Sequence, residues 1–213
     1  MFQLLCAVFI GGGTGSVDIT GPIEGTNLAY RLIGDYQNED YWRNFGKNKS
    51  SFIAPSLTWF GERATVTVSY SHRDYSAPFD RGTIFDLNTG HAVNVDRKTR
   101  FDEAFNITDG YSDLAQLNAE YRLNDAWTAR FDYSYSQDHY NDNQARVMAY
   151  DSATGNLTRR VDGTHGSTQK MHSTRADLQG NVVVGGFYNE LLTGVAYENY
   201  DLLRTDMLRC KNV

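Results

Sequence analysis

Apolar residues recur at every second position through most of this chain. From residue 28 the even positions read Leu28, Tyr30, Leu32, Gly34 and Tyr36, and the odd ones Ala29, Arg31, Ile33, Asp35 and Gln37. The pattern returns as Ile53, Pro55, Leu57 and Trp59, then as Val66, Val68 and Tyr70 set against Thr65, Thr67, Ser69 and Ser71. Further on, Ala115, Leu117, Ala119, Tyr121 and Leu123 alternate with Gln116, Asn118, Glu120 and Arg122. Ala129, Phe131, Tyr133 and Tyr135 alternate in turn with Thr128, Arg130, Asp132 and Ser134. A strand sends successive side chains to opposite faces, so each segment reads as a strand with one greasy face and one wet face. Ile33 and Asp113 interrupt the alternation, and residues 170–203 follow it less cleanly.

The connections are of two kinds. Short turns at residues 22–26, 61–63, 124–125 and 185–188 alternate with long polar segments at 41–49, 77–110 and 141–169. In an antiparallel sheet that alternation puts every short turn at one end and every long loop at the other. Outer-membrane barrels have this asymmetry, with tight periplasmic turns and large extracellular loops, whereas sandwiches mix loop lengths at both ends. Trp59, Phe60, Tyr121, Trp127, Phe187 and Tyr188 lie beside the short turns, and Tyr41, Trp42, Tyr75, Tyr135 and Tyr140 toward the long loops. A separation of about ten residues matches an apolar band ~25 Å tall between two aromatic girdles. With 14 tyrosines, 11 phenylalanines and 19 glycines and a mean hydropathy of −0.52, the composition suits many half-wet extended segments. No apolar run approaches the ~20 residues of a helical span, a test that alternating barrel strands escape. The expected fold is all-β, a transmembrane antiparallel β-barrel whose long extracellular loops contain β-hairpins.

Chemistry in the usual sense is not signalled. A net charge of −6 argues against nucleic acid as a partner. The stretch GGGTGSVDITG at 11–21 fails as a phosphate cradle: no lysine precedes Lys47, Asp18 stands where a third glycine belongs, and Gly21-Pro22 ends any helix. His72, His91, His139, His165 and His172 have no metal-ligand spacing, Cys6 and Cys210 lie at opposite ends, and no Gly-x-Ser-x-Gly elbow occurs. No catalytic residue, protein metal ligand or cofactor is therefore expected. Two loops share a local phrase, FDLNTGH at 85–91 and YDSATGN at 150–156, each aromatic-Asp-x-x-Thr-Gly-x. Gly90 and Gly155 suit the left-handed position of a hairpin turn, so the phrase is turn chemistry. What the loops do offer is aromatic and basic residues together. Tyr41, Trp42, Phe45, Tyr75, Phe79, Arg81, Phe101 and Tyr140 are the candidates to line a site for a semi-polar ligand, stacking on rings and hydrogen-bonding at tips.

Three stretches resemble a known family. GSVDITGPIEGTNLAYRLIGDYQNEDYWR, PFDRGT at 78–83 and AEYRLNDAWTARFDYSYSQDHYNDNQAR at 119–146 are similar to the TonB-dependent siderophore receptors. YENYDLLRTDMLR and the loop phrases look most like receptors for hydroxamate siderophores of the ferrichrome and ferrioxamine kind. The resemblance implies a barrel of about 22 strands around an N-terminal plug, of which residues 14–213 would supply about eight strands, a partial transmembrane antiparallel β-barrel whose sheet is open and curved. Residues 1–13 do not match the family, and the plug domain and TonB box are not recognisable. It implies further that the parent protein binds a ferric hydroxamate-type siderophore in the bacterial outer membrane. TonB would drive uptake, outer-membrane lipid would surround the wall, and the siderophore itself would carry the iron. Those eight loop residues become the siderophore-binding candidates, and the fragment alone would not be transport-competent.

Three other readings stand beside this one. A self-contained eight-stranded outer-membrane barrel with a structural or adhesive role would need the 14–21 and 189–203 strands to pair. An outer-membrane esterase or phospholipase would need a reactive serine. A secreted carbohydrate-binding sandwich fits the one-sided loop lengths poorly.

Overall fold

The computed structural model describes residues 2–9, 11–205 and 208–210. Among these, ten strands form a single antiparallel sheet: β1 (Phe2–Phe9), β2 (Gly12–Ile23), β3 (Leu28–Asp40), β4 (Lys47–Phe60), β5 (Ala64–Pro78), β6 (Ile107–Arg122), β7 (Trp127–Asp151), β8 (Asn156–Val184), β9 (Phe187–Leu203) and β10 (Leu208–Cys210). Each strand from β1 to β8 pairs with its neighbour in sequence, and β9 pairs with β8. The short β10 continues along the same edge of β8 in the register that β9 sets. The sheet is an up-and-down meander, and it is open. Its outer strands, β1 and β9, do not meet among the described residues.

Register explains why the alternation matters. Leu28 opposes Trp59, which opposes Val66, then Ala119, Phe131, Ala176 and Val195, so seven strands place an apolar side chain in one row. Directly opposed residues share a face, and a slip of one residue would turn a whole strand over. The next row, on the other face, runs Ala29, Thr58, Thr67, Asn118, Asp132, Arg175 and Ala196. Its members bond across strands, Thr58 to Thr67 at 2.9 Å and Asn118 Nδ2 to Asp132 Oδ1 at 2.7 Å. Among the described residues the apolar face is not packed against anything: Val68 is 54% exposed and Val195 73%. Ala145 is the single hydrophobic residue in the fully buried class among the described residues. A contiguous open apolar face of this size, without a core behind it, is a surface made for a non-aqueous neighbour.

The loop lengths sort as the alternation requires. Turns at 24–27, 61–63, 123–126 and 185–186 share one end; the connections at 41–46, 79–106 and 152–155 share the other. One connection departs from the rule: β1 ends at Phe9 and β2 begins at Gly12, a short link at the loop end. The segment expected not to match the family thus contains a strand, paired with β2 from Gly12 to Ile19, while its residues 1 and 10 lie outside the described ones. Because β2 takes β1 on one side and β3 on the other, it has no free edge to offer β9, which the eight-stranded closure would need.

Residues 141–169 are a projecting hairpin rather than a loop. β7 and β8 pair out to Asp151 and Asn156 with irregularities after Tyr140 and Val147. The 77–110 segment holds the expected hairpin only in a minimal form, around the turn at Gly90. Its ends join β5 and β6, and between them only isolated bridges form, Phe85 with Ala92 and Asp86 with Tyr150. Backbone bonds from Asp86 N–H to His91 O at 2.9 Å and from Val93 N–H to Ile84 O at 3.0 Å flank the first bridge, and the Asp80, Asp86 and Asp96 carboxylates accept from Gly82, Asn88 and Lys98 N–H. The girdles also need one correction. Tyr75 and Tyr140 oppose Gly110 from either side and stand on the polar face, opposite to Tyr135, because Tyr140 lies five positions, an odd offset, beyond Tyr135. At the turn end the arrangement is tight: a Cβ on Gly180 would overlap the ring of its cross-strand partner Trp127.

Candidate ligand-binding site at the loop end

The described residues bury polar groups in one place, the loop end. Residues 41–46 close a small loop in which Tyr41 N–H donates to Gly46 O at 3.0 Å. The reversal uses left-handed backbone at Phe45 (φ 46°) and Gly46 (φ 106°). A large side chain at positive φ is strained. Arg100 holds it there. Its guanidinium lies 4.7 Å from the Phe45 ring centre and 5.6 Å from that of Tyr41. Nη1 donates to Phe45 O at 3.0 Å and Nη2 to Asp102 at 2.8 Å.

Beside it, Arg43 and Asp80 form a pair whose side chains are 6% and 8% exposed. Arg43 Nη1 donates to both Asp80 oxygens, at 2.8 and 2.9 Å, and Nη2 donates to Thr99 O. The Tyr41 hydroxyl and Gly82 N–H complete the carboxylate's shell at 3.1 and 2.8 Å. Burial alone would raise the Asp80 pKa. The Gly82 N–H, Arg43 and the Tyr41 hydroxyl outweigh it and hold the carboxyl below its ordinary range. Burial, followed by the Asp80 carboxylate, pushes the Tyr41 phenol up. The loops are therefore a pre-built frame, not loose coils.

The two Asp-x-x-Thr-Gly phrases do more than turn the chain. Within each, the glycine N–H bonds back to the aspartate carbonyl at 2.8 Å. The aspartate carboxylate also takes the threonine hydroxyl, Thr89 at 2.9 Å and Thr154 at 2.8 Å. Each phrase then docks on the other: Asp86 accepts from Ser152, Asn88 Nδ2 donates to Asp151 at 2.5 Å, and Leu87 N–H donates to Tyr150 O at 2.9 Å. The tip of the 79–106 segment is thus pinned to the tip of the β7–β8 hairpin. Behind the pin lies an open groove of about 360 Å³ whose lining includes Arg81, Ile84, Phe101, Asn106, Val147 and Met148.

The structure gathers most of the sequence candidates and separates the rest. Tyr41 and Phe45 sit in the arginine frame, while Trp42 stands out from it, 59% exposed, with Arg43 5.6 Å from its ring centre. Phe79 carries Arg81 4.9 Å over its ring; Arg81 bonds Gln144 Oε1 at 2.9 and 2.7 Å and, with Phe101, faces the groove. Tyr75 and Tyr140 lie apart from the frame, on the polar face of the wall. Sequence reading missed the supports Asp80, Asp102, Asn106 and Gln144. Asn106 is 2% exposed and holds Ala145 by accepting its N–H at 2.6 Å, and nothing in its local sequence marks that role.

Comparison with known proteins agrees with this geometry. No family model matches the chain. The metal-pseudopaline receptor CntO of Pseudomonas aeruginosa is 25% identical over 188 residues, covering 87% of this chain and 26% of that protein. Of solved structures, the ferric preacinetobactin receptor BauA from Acinetobacter baumannii superposes with a TM-score of 0.82 at 20% identity, over 100% of this chain and 31% of that one. The ferripyoverdine receptor of the P. aeruginosa outer membrane gives a TM-score of 0.81 at 16% identity, over 92% and 27% respectively. The chain therefore spans between a quarter and a third of the proteins it matches. Its fold is that of part of these solved siderophore receptors, and its sequence is similar to that of a metal-pseudopaline receptor.

Proposed function

We propose that this chain is part of the barrel wall and mouth of an outer-membrane receptor that takes up a ferric siderophore with energy from TonB. The observation that carries the reading is the apolar row from Leu28 to Val195, open to its surroundings and backed by a polar row. Such a wall suits lipid on one side and a wet lumen on the other. The buried polar frame is confined to the loop end, where a mouth would lie. The free edges of β1 and β9 would pair with further strands of a closed barrel, since open edges do not persist in hydrocarbon. The similarity to siderophore receptors supports the ligand class. Within it we propose a hydroxamate complex of the ferrichrome or ferrioxamine kind, on the loop phrases that resemble those receptors. The siderophore would supply all the ligands to iron.

Titration of the chain in detergent micelles with ferrichrome and ferrioxamine B, followed by tryptophan fluorescence, tests this. Quenching is expected, and Trp42→Phe should remove most of it. If no ferric siderophore binds, hydroxamate or otherwise, the receptor reading is wrong. If only catecholate complexes bind, the hydroxamate part is.

A further inference from the structure

Two exposed rings at the loop end have something in common. Trp42 is 59% exposed and Phe45 43%, and each carries a guanidinium against one face. Those guanidiniums belong to buried side chains, Arg43 at 6% exposure and Arg100 at 1%, so they occupy the inner faces and leave the outer ones open. Neither arginine can swing away. Arg43 is held by Asp80 and Thr99, and Arg100 by Asp102 and the Phe45 carbonyl.

The charge beneath the rings has a chemical consequence. An aromatic face is electron-rich and ordinarily attracts cations. A fixed cation on the inner face draws that density inward and leaves the outer face poorer. The outer face then repels a second cation and favours an electron-rich or anionic planar group.

Phe45 adds a second, independent observation. It is the one residue other than glycine at positive φ among the described residues. Strain of that kind persists where surrounding contacts over-determine it, and it gathers at ligand sites. Here the over-determining contact is Arg100, which grips both the carbonyl and the ring.

We infer that Trp42 and Phe45 form a stacking platform selective for anionic, electron-rich planar groups, such as the deprotonated chelating arm of a metal complex, with Arg100 as its positioning residue. The inference rests on the siderophore-receptor reading for its biological ligand, but the platform's preference is measurable without one.

Three probes of one shape test it: 2-naphthoate, neutral 2-naphthamide and the 2-naphthylmethylammonium cation, titrated calorimetrically against the chain in zwitterionic detergent. Naphthoate is expected to bind best and the cation worst, with about a fivefold gap between neighbours, the scale of a cation–ring interaction. Phe45→Leu and Trp42→Leu, which keep both arginines, should each collapse the ranking. Arg100→Met should weaken it by the Phe45 share and leave the Trp42–Arg43 share, while Arg100→Lys, which keeps the charge, should weaken it less. A ranking that survives both ring substitutions would mean plain charge attraction and overturn the platform. So would equal or preferential binding of the cation, or binding of none of the three. Ferrioxamine B binding on the same preparation separates this from the receptor reading. A chain that binds ferrioxamine B but ranks the probes otherwise loses only the platform. One that ranks them as stated but takes no siderophore loses only the receptor reading.

Discussion

The carboxylate of Asp86 accepts two hydrogen bonds from Ser152, one from its N–H at 3.0 Å and one from its hydroxyl at 2.7 Å. The same carboxylate takes Asn88 N–H at 3.3 Å and Thr89 Oγ1 at 2.9 Å. Ser152 leads the bonds that hold the Asp86 pKa down to about 2. A carboxylate depressed in the folded state stabilises it fully above the unfolded value, near 4, and the contribution disappears as pH falls through the folded one. The pin between loop and hairpin should therefore be intact from neutral pH down to about 4. It should open toward pH 2. The Ser152 amide shift in an NMR titration reports it; a midpoint near pH 4 would show that the bonds to Asp86 do not hold in solution.

Replacing the carboxylate should act at neutral pH. Asp86→Ala deprives Ser152, Asn88 and Thr89 of a common acceptor. Amide exchange at Leu87 and Ser152 should then accelerate by an order of magnitude or more, with strands β3 to β6 unaffected, because local opening is uncoupled from the wall. Unchanged exchange at both amides would mean that the two tips are held by something other than this carboxylate.

Arg43 and Asp80 make a second test of the loop frame. Removing one member of a buried pair strands the other, at a cost of about 3–5 kcal/mol. Arg43→Ala and Asp80→Ala should each expose the Asn44 amide, which otherwise donates to Lys98 O at 2.8 Å. A joint Arg43→Met, Asp80→Leu replacement should recover much of the protection, since an apolar pair of similar size carries no desolvation penalty. Equal losses in the single and joint variants would argue that the pair does not act as a unit.

How far the sequence reveals this architecture depends on the range of the interaction. The strands were legible because the parity of Val66, Val68 and Tyr70 is a local property, and pairing then follows from matching greasy faces across neighbours. The same parity count separates Tyr140 from Tyr135, so their placement on opposite faces was available by arithmetic alone. The Asp-x-x-Thr-Gly phrases were legible as turns for the same local reason. That Asp86 docks on Ser152 was not, because either phrase closes its own turn without the other. Nor was the choice of Asp80 as partner for Arg43, since the loops offer several carboxylates and only the packed frame selects one. Phe85 and Ala92 form the single bridge of a minimal hairpin whose tip docks on Tyr150 and Ser152, and that long-range docking is not readable from the phrase itself.

At the turn end, Gly180 faces Trp127 so closely that any side chain would meet the ring. Gly180→Val should cost roughly 1–3 kcal/mol through overpacking, read as a lower urea midpoint for refolding into vesicles. Trp127→Ala in the same chain should relieve the clash, so that the double variant lies closer to Trp127→Ala than to Gly180→Val. Additive losses would show that the ring does not lie over the glycine.

The orientation of the wall is the most exposed of these claims, because Val68 and Ser69 are adjacent in sequence and should behave oppositely. Val68 belongs to the apolar face and opposes Leu57 and Leu117; Ser69 belongs to the polar face and opposes Ser56 and Gln116. An arginine set into hydrocarbon near the middle of a strand costs about 2–4 kcal/mol, while lumen-facing substitutions change stability little. Val68→Arg should therefore lower folding stability in vesicles by that amount, and Ser69→Arg should leave it nearly unchanged. Leu117→Arg, on the partner strand, should repeat the first result and Gln116→Arg the second. Since a one-residue slip exchanges the two faces along a whole strand, the reverse ranking at both positions would mean that the greasy side faces inward. A sheet built that way could not be part of a wall in lipid.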